Sequence, residues 1–282
     1  MQCAWDALIN LIPCRFRAVV DRQGKHSLQE LRLRLGQPPE LVTANGSFWL
    51  QDQVTAADIQ FSVSAASKYS PWSAETIRNG YITAAGGHRV GICGEAVIDH
   101  NQLIRLRCPS ALCIRVARDF PNISGNIPLV NHSILVLGPP GCGKTTLLRD
   151  IIRRYANSGS GSIGVVDERG ELFPIINGNF CHETGKEVDI MTGYTKKKGI
   201  EIILRCMGPR VIAVDEITAP EDCDALMQAV WCGVHLFATA HAKDLSDLYS
   251  RPIYRSLADT KLFDTVITLK HDKSWHIERM DK

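Results

Sequence analysis

The feature that most constrains the fold of this chain is a glycine-rich stretch that directly follows a short apolar run. "SILVL" ends at residue 137, and "GPPGCGKTTLL" begins at Gly138. The spacing Gly138-x-x-x-x-Gly143-Lys144-Thr145 is that of a P-loop, which is specific only between a strand and a helix. Here an unbroken apolar run precedes the glycines, and leucines and isoleucines at three- and four-residue spacing follow them. The pattern therefore predicts a loop whose backbone N–H groups bind phosphate at the start of a helix.

The predicted nucleotide-binding residues are this loop, the start of its helix and two residues after later strands. They are Gly138, Pro139, Pro140, Gly141, Cys142, Gly143, Lys144, Thr145, Thr146, Asp215 and His241. The Lys144 ammonium places a positive charge against the β- and γ-phosphates, and the Thr145 hydroxyl is a ligand for Mg²⁺. Cys142 is interpreted as a small side chain that fills space within the loop.

A second motif is an acidic pair that follows the apolar run "VIAV". Asp215 comes directly after this run, as the aspartate of a Walker B motif does, so Thr145 and Asp215 are the predicted metal ligands. Glu216 follows, and a carboxylate beside the metal ligand can polarise the attacking water, which contributes about 10²–10⁴ in rate. A protein that only binds nucleotide has no need of this group, so Glu216 favours hydrolysis.

Two more apolar runs end in polar residues. "IGVV" is followed by Asp167 and Glu168, and "HLFAT" is followed closely by His241. Ligands of open α/β sheets bind outside the carboxyl ends of the strands, so these residues are expected in one crevice. Glu168 is a candidate catalytic residue that polarises water or supports Mg²⁺, or else pairs with Arg169 in an ordinary loop. His241 either senses the γ-phosphate and orients water or is structural.

The order of patterns predicts two domains. From 123 to 282, apolar runs alternate with helical stretches, which predicts an α/β domain with a mainly parallel sheet. Residues 171–195 are expected to be rich in loops. Residues 1–122 read as strands joined by turns, with flanking helices, and Asn45-Gly46 is a hairpin signal. They predict a smaller α+β domain with an antiparallel sheet.

Composition limits the classes of function. The chain carries 32 basic and 30 acidic residues, a balance that does not predict nucleic-acid binding. The basic clusters at 196–198 and at Arg105 and Arg107 are interpreted as solvated surface. The ten cysteines are interpreted as reduced core thiols. Neither a signal peptide nor an apolar run of about 20 residues is recognised, so the chain is expected in the cytosol, or at a membrane only through a partner.

Several segments together resemble a known family. "NGYITAAGGHRVGICGEAV", "LVLGPPGCGKTTLLRDIIRR", "VVDERGEL", "VIAVDEI" and "FATAHA" are similar to the stage III sporulation protein AA family. That family is in turn similar to the hexameric ATPases of type II and type IV secretion. The resemblance runs from "ELRLRLG" to the last strand, and its first segment lies outside the general ATPase core. The chain departs from the pattern at Thr218, where glycine is expected, and at "CMGPR", where a run like Ser-Pro-Asp is usual.

The resemblance implies a RecA-like ATPase that uses ATP and Mg²⁺ and forms a homo-oligomeric, hexameric ring. It implies a motor on a sporulation channel complex between mother cell and forespore, attached through a membrane protein of that complex. Ring motors need a cation from the neighbouring subunit at the nucleotide, and arginine suits this role. Arg89 and Arg115, with Arg118, are the candidates, and Arg205 is given a solvated or helix-end role. The alternatives are a nucleic-acid-dependent ATPase and a nucleotide-binding scaffold.

Overall fold

The computed structural model describes residues 1–67, 80–99, 102–125, 127–129, 131–176, 178–254, 257, 260 and 262–280. The chain divides into two compact units. The first contains Met1–Asp119 and Pro174–His182, and the second contains Phe120–Phe173 and Glu183–Lys282. The segment Pro174–His182, which lies in the predicted second domain by chain position, thus packs with the first unit.

The first unit is built on a six-stranded antiparallel sheet. Its helices are α1 (Trp5–Asn10), α2 (Cys14–Ser27) and α3 (Ala56–Ser67). Its strands are β1 (Leu28–Arg34), β2 (Glu40–Thr43), β3 (Gly46–Trp49), β4 (Tyr81–Thr83), β5 (Arg89–Asp99) and β6 (Gln102–Arg115), with β9 (Ile175–Ile176) and β10 (Asn179–Phe180) as a separate hairpin. The spatial order of the large sheet is β3-β2-β1-β6-β5-β4.

Alternation along the strands gives this sheet one apolar face. Leu31 and Leu33 in β1 are fully buried and lie opposite Ile114 and Leu112 of β6. The intervening positions carry charged side chains, as expected for a sheet with one solvated face. The predicted Asn45-Gly46 hairpin is confirmed, because β2 and β3 pair directly across it.

The second unit is built on a seven-stranded sheet that is parallel except at one edge. Its strands are β7 (Ile134–Leu137), β8 (Ile163–Asp167), β11 (Val188–Thr192), β12 (Val211–Val214), β13 (His235–Ala240), β14 (Thr265–Leu269) and β15 (Trp275–Arg279). Its helices are α4 (Lys144–Ala156), α5 (Lys196–Cys206), α6 (Pro220–Trp231) and α7 (Leu245–Ser250). The order is β11-β8-β12-β13-β7-β14-β15, and only β15 runs antiparallel to its neighbour.

Helices cover both faces of this sheet, which is why its central strands are apolar throughout. The apolar stripe of α4 packs on one face, where Tyr155 meets the Phe237 ring edge-on at 5.5 Å between centroids. Ile200 and Ile203 of α5 and Leu226 of α6 pack on the other face. All four residues of β7 and of β12 are buried. The carboxyl ends of six parallel strands therefore meet at one edge, clear of the two covered faces.

The sequence predicted most of these elements. The strands expected at 133–137, 163–166, 211–214 and 235–239 are confirmed as β7, β8, β12 and β13, and the closing hairpin is confirmed as β14 and β15. The loop-rich interpretation of 171–195 was wrong at Val188–Thr192, which forms the edge strand β11. All five β11 side chains are only half-buried, so its sequence lacks the apolar run of the inner strands.

The burial of side chains corrects two further expectations, those for Lys196 and for the cysteines. Lys196 is buried, whereas its neighbours Lys197 and Lys198 are exposed as predicted. Arg107 is exposed, and the side chain of Arg105 lies outside the described residues. Of the ten cysteines, only Cys142 and Cys223 are buried, so most are not core thiols. Among the described residues, every helix is too short or too polar to span a lipid bilayer.

Gly199 tests the packing of α5 on the sheet. A Cβ added at Gly199 would lie 2.4 Å from Cγ1 of Val166 in β8. We expect Gly199→Ala to lower the free energy of unfolding by about 1–3 kcal/mol, because overpacking outweighs the roughly 1 kcal/mol gain in helix propensity. Thermal and denaturant unfolding measure this. Lys197→Ala in the same helix is the control, and a stabilised Gly199→Ala protein would contradict the packing.

Candidate nucleotide site

The phosphate-binding loop lies between β7 and α4, as the sequence predicted. Its first glycine, Gly138, has φ of 155°, and a Cβ there would lie 2.6 Å from Sγ of Cys142 and 2.8 Å from the carbonyl oxygen of Leu269. Only glycine fits this position. Leu269 is the last residue of β14, so the closing hairpin helps to shape the loop. Cys142 is buried inside it, which agrees with its interpretation as a filler.

Lys144 is the first residue of α4 and lies almost fully buried against the loop. Its ammonium donates to the carbonyl oxygens of Gly138 at 2.9 Å and Pro139 at 3.0 Å, and to Nδ1 of His241 at 2.9 Å. Burial lowers the pKa of Lys144, and the nearby carboxylates of Asp215 and Glu216 oppose that shift. The site therefore holds a cation at a helix N-terminus, where the backbone already favours an anion.

Asp215 joins the loop to two neighbouring strands. It follows β12, and its Oδ2 accepts a hydrogen bond from Thr145 Oγ1 at 2.7 Å. Its Oδ1 accepts another from Thr239 Oγ1 of β13 at 2.6 Å. The two predicted magnesium ligands are thus in direct contact. A hydroxyl and a carboxylate at the end of a strand are the donor set that Mg²⁺ uses beside phosphates, so these residues fit the implied ion.

Glu216 adopts an unusual backbone conformation that two hydrogen bonds hold in place. Its φ of 55° lies in the left-handed region, which costs a non-glycine residue about 1–3 kcal/mol. Its N–H donates to Thr239 Oγ1 at 2.8 Å, and the next N–H, of Ile217, donates to the Thr239 carbonyl oxygen at 2.9 Å. Backbone strain that is retained at the end of a strand, here beside a predicted metal ligand, is typical of functional sites.

The Glu216 carboxylate is held by hydrogen bonds from a cation, Arg169, and from an imidazole, His241. Oε2 accepts from Arg169 Nη1 at 2.8 Å, and Oε1 makes a short contact with Nε2 of His241. The tautomer of His241 follows from its other partner. Because the Lys144 ammonium can only donate, Nδ1 of His241 accepts, and the ring proton lies on Nε2, where it donates to Glu216. His241 therefore links the P-loop lysine to the candidate base.

Glu168 lies in a second cluster of charged side chains, at the end of β8, the strand that neighbours β12. A narrow pocket there is lined by five carboxylates, those of Asp167, Glu168, Glu171, Asp215 and Glu216. Two cations, Arg169 and Lys196, complete the lining. Glu168 accepts from Lys196 Nζ at 2.6 Å, whereas Arg169 bonds to Glu216. The cation that pairs with Glu168 at this distance is therefore Lys196.

Asp167 is buried and shapes the loop that carries Glu168 and Arg169. Its carboxylate accepts hydrogen bonds from the N–H groups of Glu171 at 2.8 Å and Phe173 at 2.9 Å. Desolvation raises the pKa of Asp167 to about 6, although these backbone N–H groups lower it. Its role is to hold the loop, and its side chain is nearly inaccessible to solvent.

The three arginines proposed to contact the nucleotide of a neighbouring subunit, Arg89, Arg115 and Arg118, all lie in the first unit. Arg89 and Arg115 are directly paired across β5 and β6. Arg89 stacks on the Tyr81 ring at 3.9 Å, and Arg115 contacts Glu30 at 3.2 Å with 61% of its side chain exposed. Arg118 donates to the carbonyl oxygens of Lys25 and Leu28 and is tied to backbone. Arg205 is exposed in the last turn of α5, as expected.

Three site residues were missed by sequence reasoning. Lys196 stands in a run of three lysines that looks like surface, and Asp222 was treated only as a helix start. Lys273 lies in the β14–β15 turn and donates to the Gly141 carbonyl oxygen at 2.6 Å. None of these lies in a recognisable motif, so only the folded chain identifies them.

The comparison with known families agrees with this geometry. The family model described as "Sporulation stage III, protein AA" matches residues 5–277. This chain belongs to that family. A relative in it, "Stage III sporulation protein AA" of Bacillus subtilis (strain 168), is 34% identical over 258 residues, covering 87% of this chain and 83% of the relative. The family predicted from the sequence is confirmed.

Solved structures show the fold of this member of the sporulation stage III protein AA family. The ATPase DotB of Legionella pneumophila matches with a TM-score of 0.58 and 16% identity, over 94% of this chain and 79% of DotB. The pilus retraction motor PilT with bound ADP matches with a TM-score of 0.63 and 14% identity, over 94% and 82%. The chain therefore has a RecA-like P-loop ATPase fold preceded by a smaller α+β part, as predicted.

The raised pKa of Asp167 makes stability depend on pH. Because the folded pKa lies above the ordinary value of 3.8, the stabilising effect is complete below that value and is lost as pH rises through about 6. We expect the free energy of unfolding of wild type, relative to Asp167→Asn, to fall by about 1 kcal/mol from about pH 5 to about pH 8. Denaturant titrations at several pH values measure it. A difference that is constant or grows with pH would contradict the assignment.

Proposed function

We propose that this protein is a Mg²⁺-dependent ATPase that works as a ring-forming motor of a secretion-like sporulation complex. The observation that carries the proposal is the contact between Thr145 and Asp215, with Lys144 and Glu216 joined through His241. Family membership and the shared fold support it. DotB is described as an ATPase, and PilT as a retraction motor with bound ADP.

In this proposal, different residues bind the phosphates, hold the metal ion and activate the attacking water. The loop from Gly138 to Thr146 and the N-terminus of α4 bind the phosphates, and the Lys144 ammonium donates to them. Thr145 and Asp215 hold Mg²⁺, which neutralises phosphate charge when it is bound. Glu216 accepts a proton from the attacking water, and His241 orients the Glu216 carboxylate. Glu168 supports this group from the neighbouring strand.

Each oxygen of the Glu216 carboxylate already accepts one hydrogen bond, which leaves fewer acceptor sites for the attacking water. Its Oε2 is bonded to Arg169, whose side chain is 54% exposed and therefore able to move away at small cost. Its Oε1 is bonded to His241 in the neutral tautomer. A movement of Arg169 would therefore free acceptor sites on Glu216, which suits a motor that couples hydrolysis to a change of shape.

Substitutions at Glu216 and Lys144 test the proposed ATPase site directly. We expect Glu216→Gln to lower ATP turnover by about 10²–10³-fold, because the general base is lost, while nucleotide affinity is kept. Lys144→Ala should weaken binding roughly 10- to 100-fold, since a charge-assisted hydrogen bond contributes about 1.5–3 kcal/mol. Phosphate release and fluorescent-nucleotide titration measure these, with Glu221→Gln and Lys197→Ala as exposed controls. Turnover that survives both changes rules out this site, and binding without turnover in wild type supports the scaffold alternative.

The ring part of the proposal rests on the two arginines of the first unit. Arg89 and Arg115 lie directly opposite each other in register, which places two cations at one position of the sheet. Arg115 pairs with Glu30 but keeps 61% of its side chain exposed. We propose that one of these two arginines contacts the nucleotide of a neighbouring subunit in a homo-hexamer. Family membership further suggests attachment to a membrane protein of the sporulation complex, on the mother-cell cytoplasmic side.

A mixing experiment tests action between subunits. Arg89→Ala or Arg115→Ala should lower turnover by about 10³-fold if that residue is the arginine finger. Mixing such a protein with Glu216→Gln protein should restore part of the activity, because each supplies the group that the other lacks. Light scattering with a slowly hydrolysed ATP analogue checks for the ring. Failure of every mixture to exceed the sum of its components would refute the contribution in trans.

A further inference from the structure

Lys196 is a buried cation that no motif of the P-loop fold accounts for. Its side chain is only 5% exposed, although it stands in a run of three lysines. Its ammonium lies 2.6 Å from Glu168 Oε2 and 3.6 Å from Asp222 Oδ2. Lysine is almost never fully buried unless it is paired, so these two carboxylates are what keeps it inside.

The position of Lys196 in its helix makes the burial more costly. It is the first residue of α5, and Thr195 caps that helix by accepting from the Lys198 N–H. The N-terminus of a helix carries partial positive charge, which disfavours a cation there. Desolvation adds to the cost. A lysine at this place therefore depends on Glu168 and Asp222, and they in turn lose their counter-charge if it is removed.

The two carboxylates belong to the two acidic loops of the site. Glu168 directly follows β8, and β8 pairs in parallel with β12, which precedes the loop of Glu216. Asp222 fixes the far end of that second loop. Its Oδ2 accepts from the N–H of Thr218 at 2.9 Å and of Ala219 at 3.1 Å. Lys196 is thus the point at which both loops are tied to α5.

The Lys196 ammonium also offsets the repulsion between the carboxylates that surround it. Five carboxylates face one narrow pocket, and Lys196 and Arg169 are the cations that line it. Arg169 is half exposed and bonded to Glu216, whereas Lys196 is enclosed. Without the Lys196 ammonium, repulsion between carboxylates would push Glu168 from its place and loosen the loop that presents Glu216.

We propose that Lys196 is a positioning residue for hydrolysis, which acts by holding Glu168 and, through Asp222, the loop that carries Glu216. This inference rests on the proposed ATPase function. Within the part of the chain that the structure describes, the Lys196 ammonium pairs with carboxylates of the two acidic loops and not with the phosphate-binding loop. Removing the Lys196 ammonium should therefore lower the rate of the chemical step and leave the affinity for nucleotide unchanged.

The test compares kcat with nucleotide affinity in Lys196→Met. We expect kcat to fall about 10- to 100-fold, as for other residues that orient a catalytic group, while KM and the affinity for fluorescent ADP stay within about threefold. Lys196→Arg should restore part of kcat, because it keeps the charge. Lys198→Met is the matched control: the same substitution in the same helix, at an exposed residue paired only with Glu201 at 3.4 Å.

A double-mutant cycle separates positioning from a general loss of structure. In the Glu168→Gln background, Lys196→Met should cost much less than in wild type, since the two residues act through one contact. Additive losses, or equal loss of kcat and affinity, overturn the proposal. If Lys196→Met does not fold, Asp222→Asn tests the same tie: a loss confined to kcat supports it, and an unchanged kcat refutes it.

The outcomes also distinguish this inference from the function on which it rests. Turnover that disappears in Lys144→Ala and Glu216→Gln but is unchanged in Lys196→Met refutes the role of Lys196 alone. Turnover that persists in both of the first two variants refutes the ATPase site itself.

Discussion

The candidate site depends above all on the Asp215 carboxylate, which ties three parts of the second unit together. One oxygen accepts from Thr145 at the start of α4, and the other accepts from Thr239 in β13. The same Thr239 hydroxyl accepts the N–H of Glu216. A single connected set of hydrogen bonds therefore fixes the phosphate-binding loop, the predicted metal ligands and the candidate base relative to one another. Such networks are strong because each buried polar group has its partner.

The charged groups of this site form two kinds of pair, which differ in how deeply they are buried. Lys144 and Lys196 are buried cations, and each depends on nearby carboxylates or carbonyl oxygens for compensation. Glu216 is bound instead to half-exposed partners that can leave at small cost. The buried pairs fix the positions of the loops, whereas the more exposed Arg169–Glu216 pair can break and form again. Both properties suit the proposed motor function, because backbone strain at Glu216 persists only within a rigid surrounding structure.

Much of the fold and part of the site could be predicted from the sequence. The P-loop and the Walker B aspartate carry fixed residue types at fixed spacing, since phosphate and Mg²⁺ demand them. The inner strands were recognisable because burial on both faces requires unbroken apolar runs. The edge strand β11 was missed, because an edge strand is only half covered and has no such run. Lys196 was misjudged because its two partners stand 28 and 26 positions away.

The sequence by itself determined the family, the two classes of sheet and the residues of the phosphate-binding loop. Each of these follows from local patterns, whose physical cause lies within a few neighbouring residues. Only the tertiary structure decided which carboxylate meets which cation: Glu168 with Lys196, and Glu216 with Arg169 and His241. Parallel strands bring residues from distant parts of the chain to one sheet edge, and the choice among several acidic and basic partners there is made by burial and distance, which no linear spacing encodes.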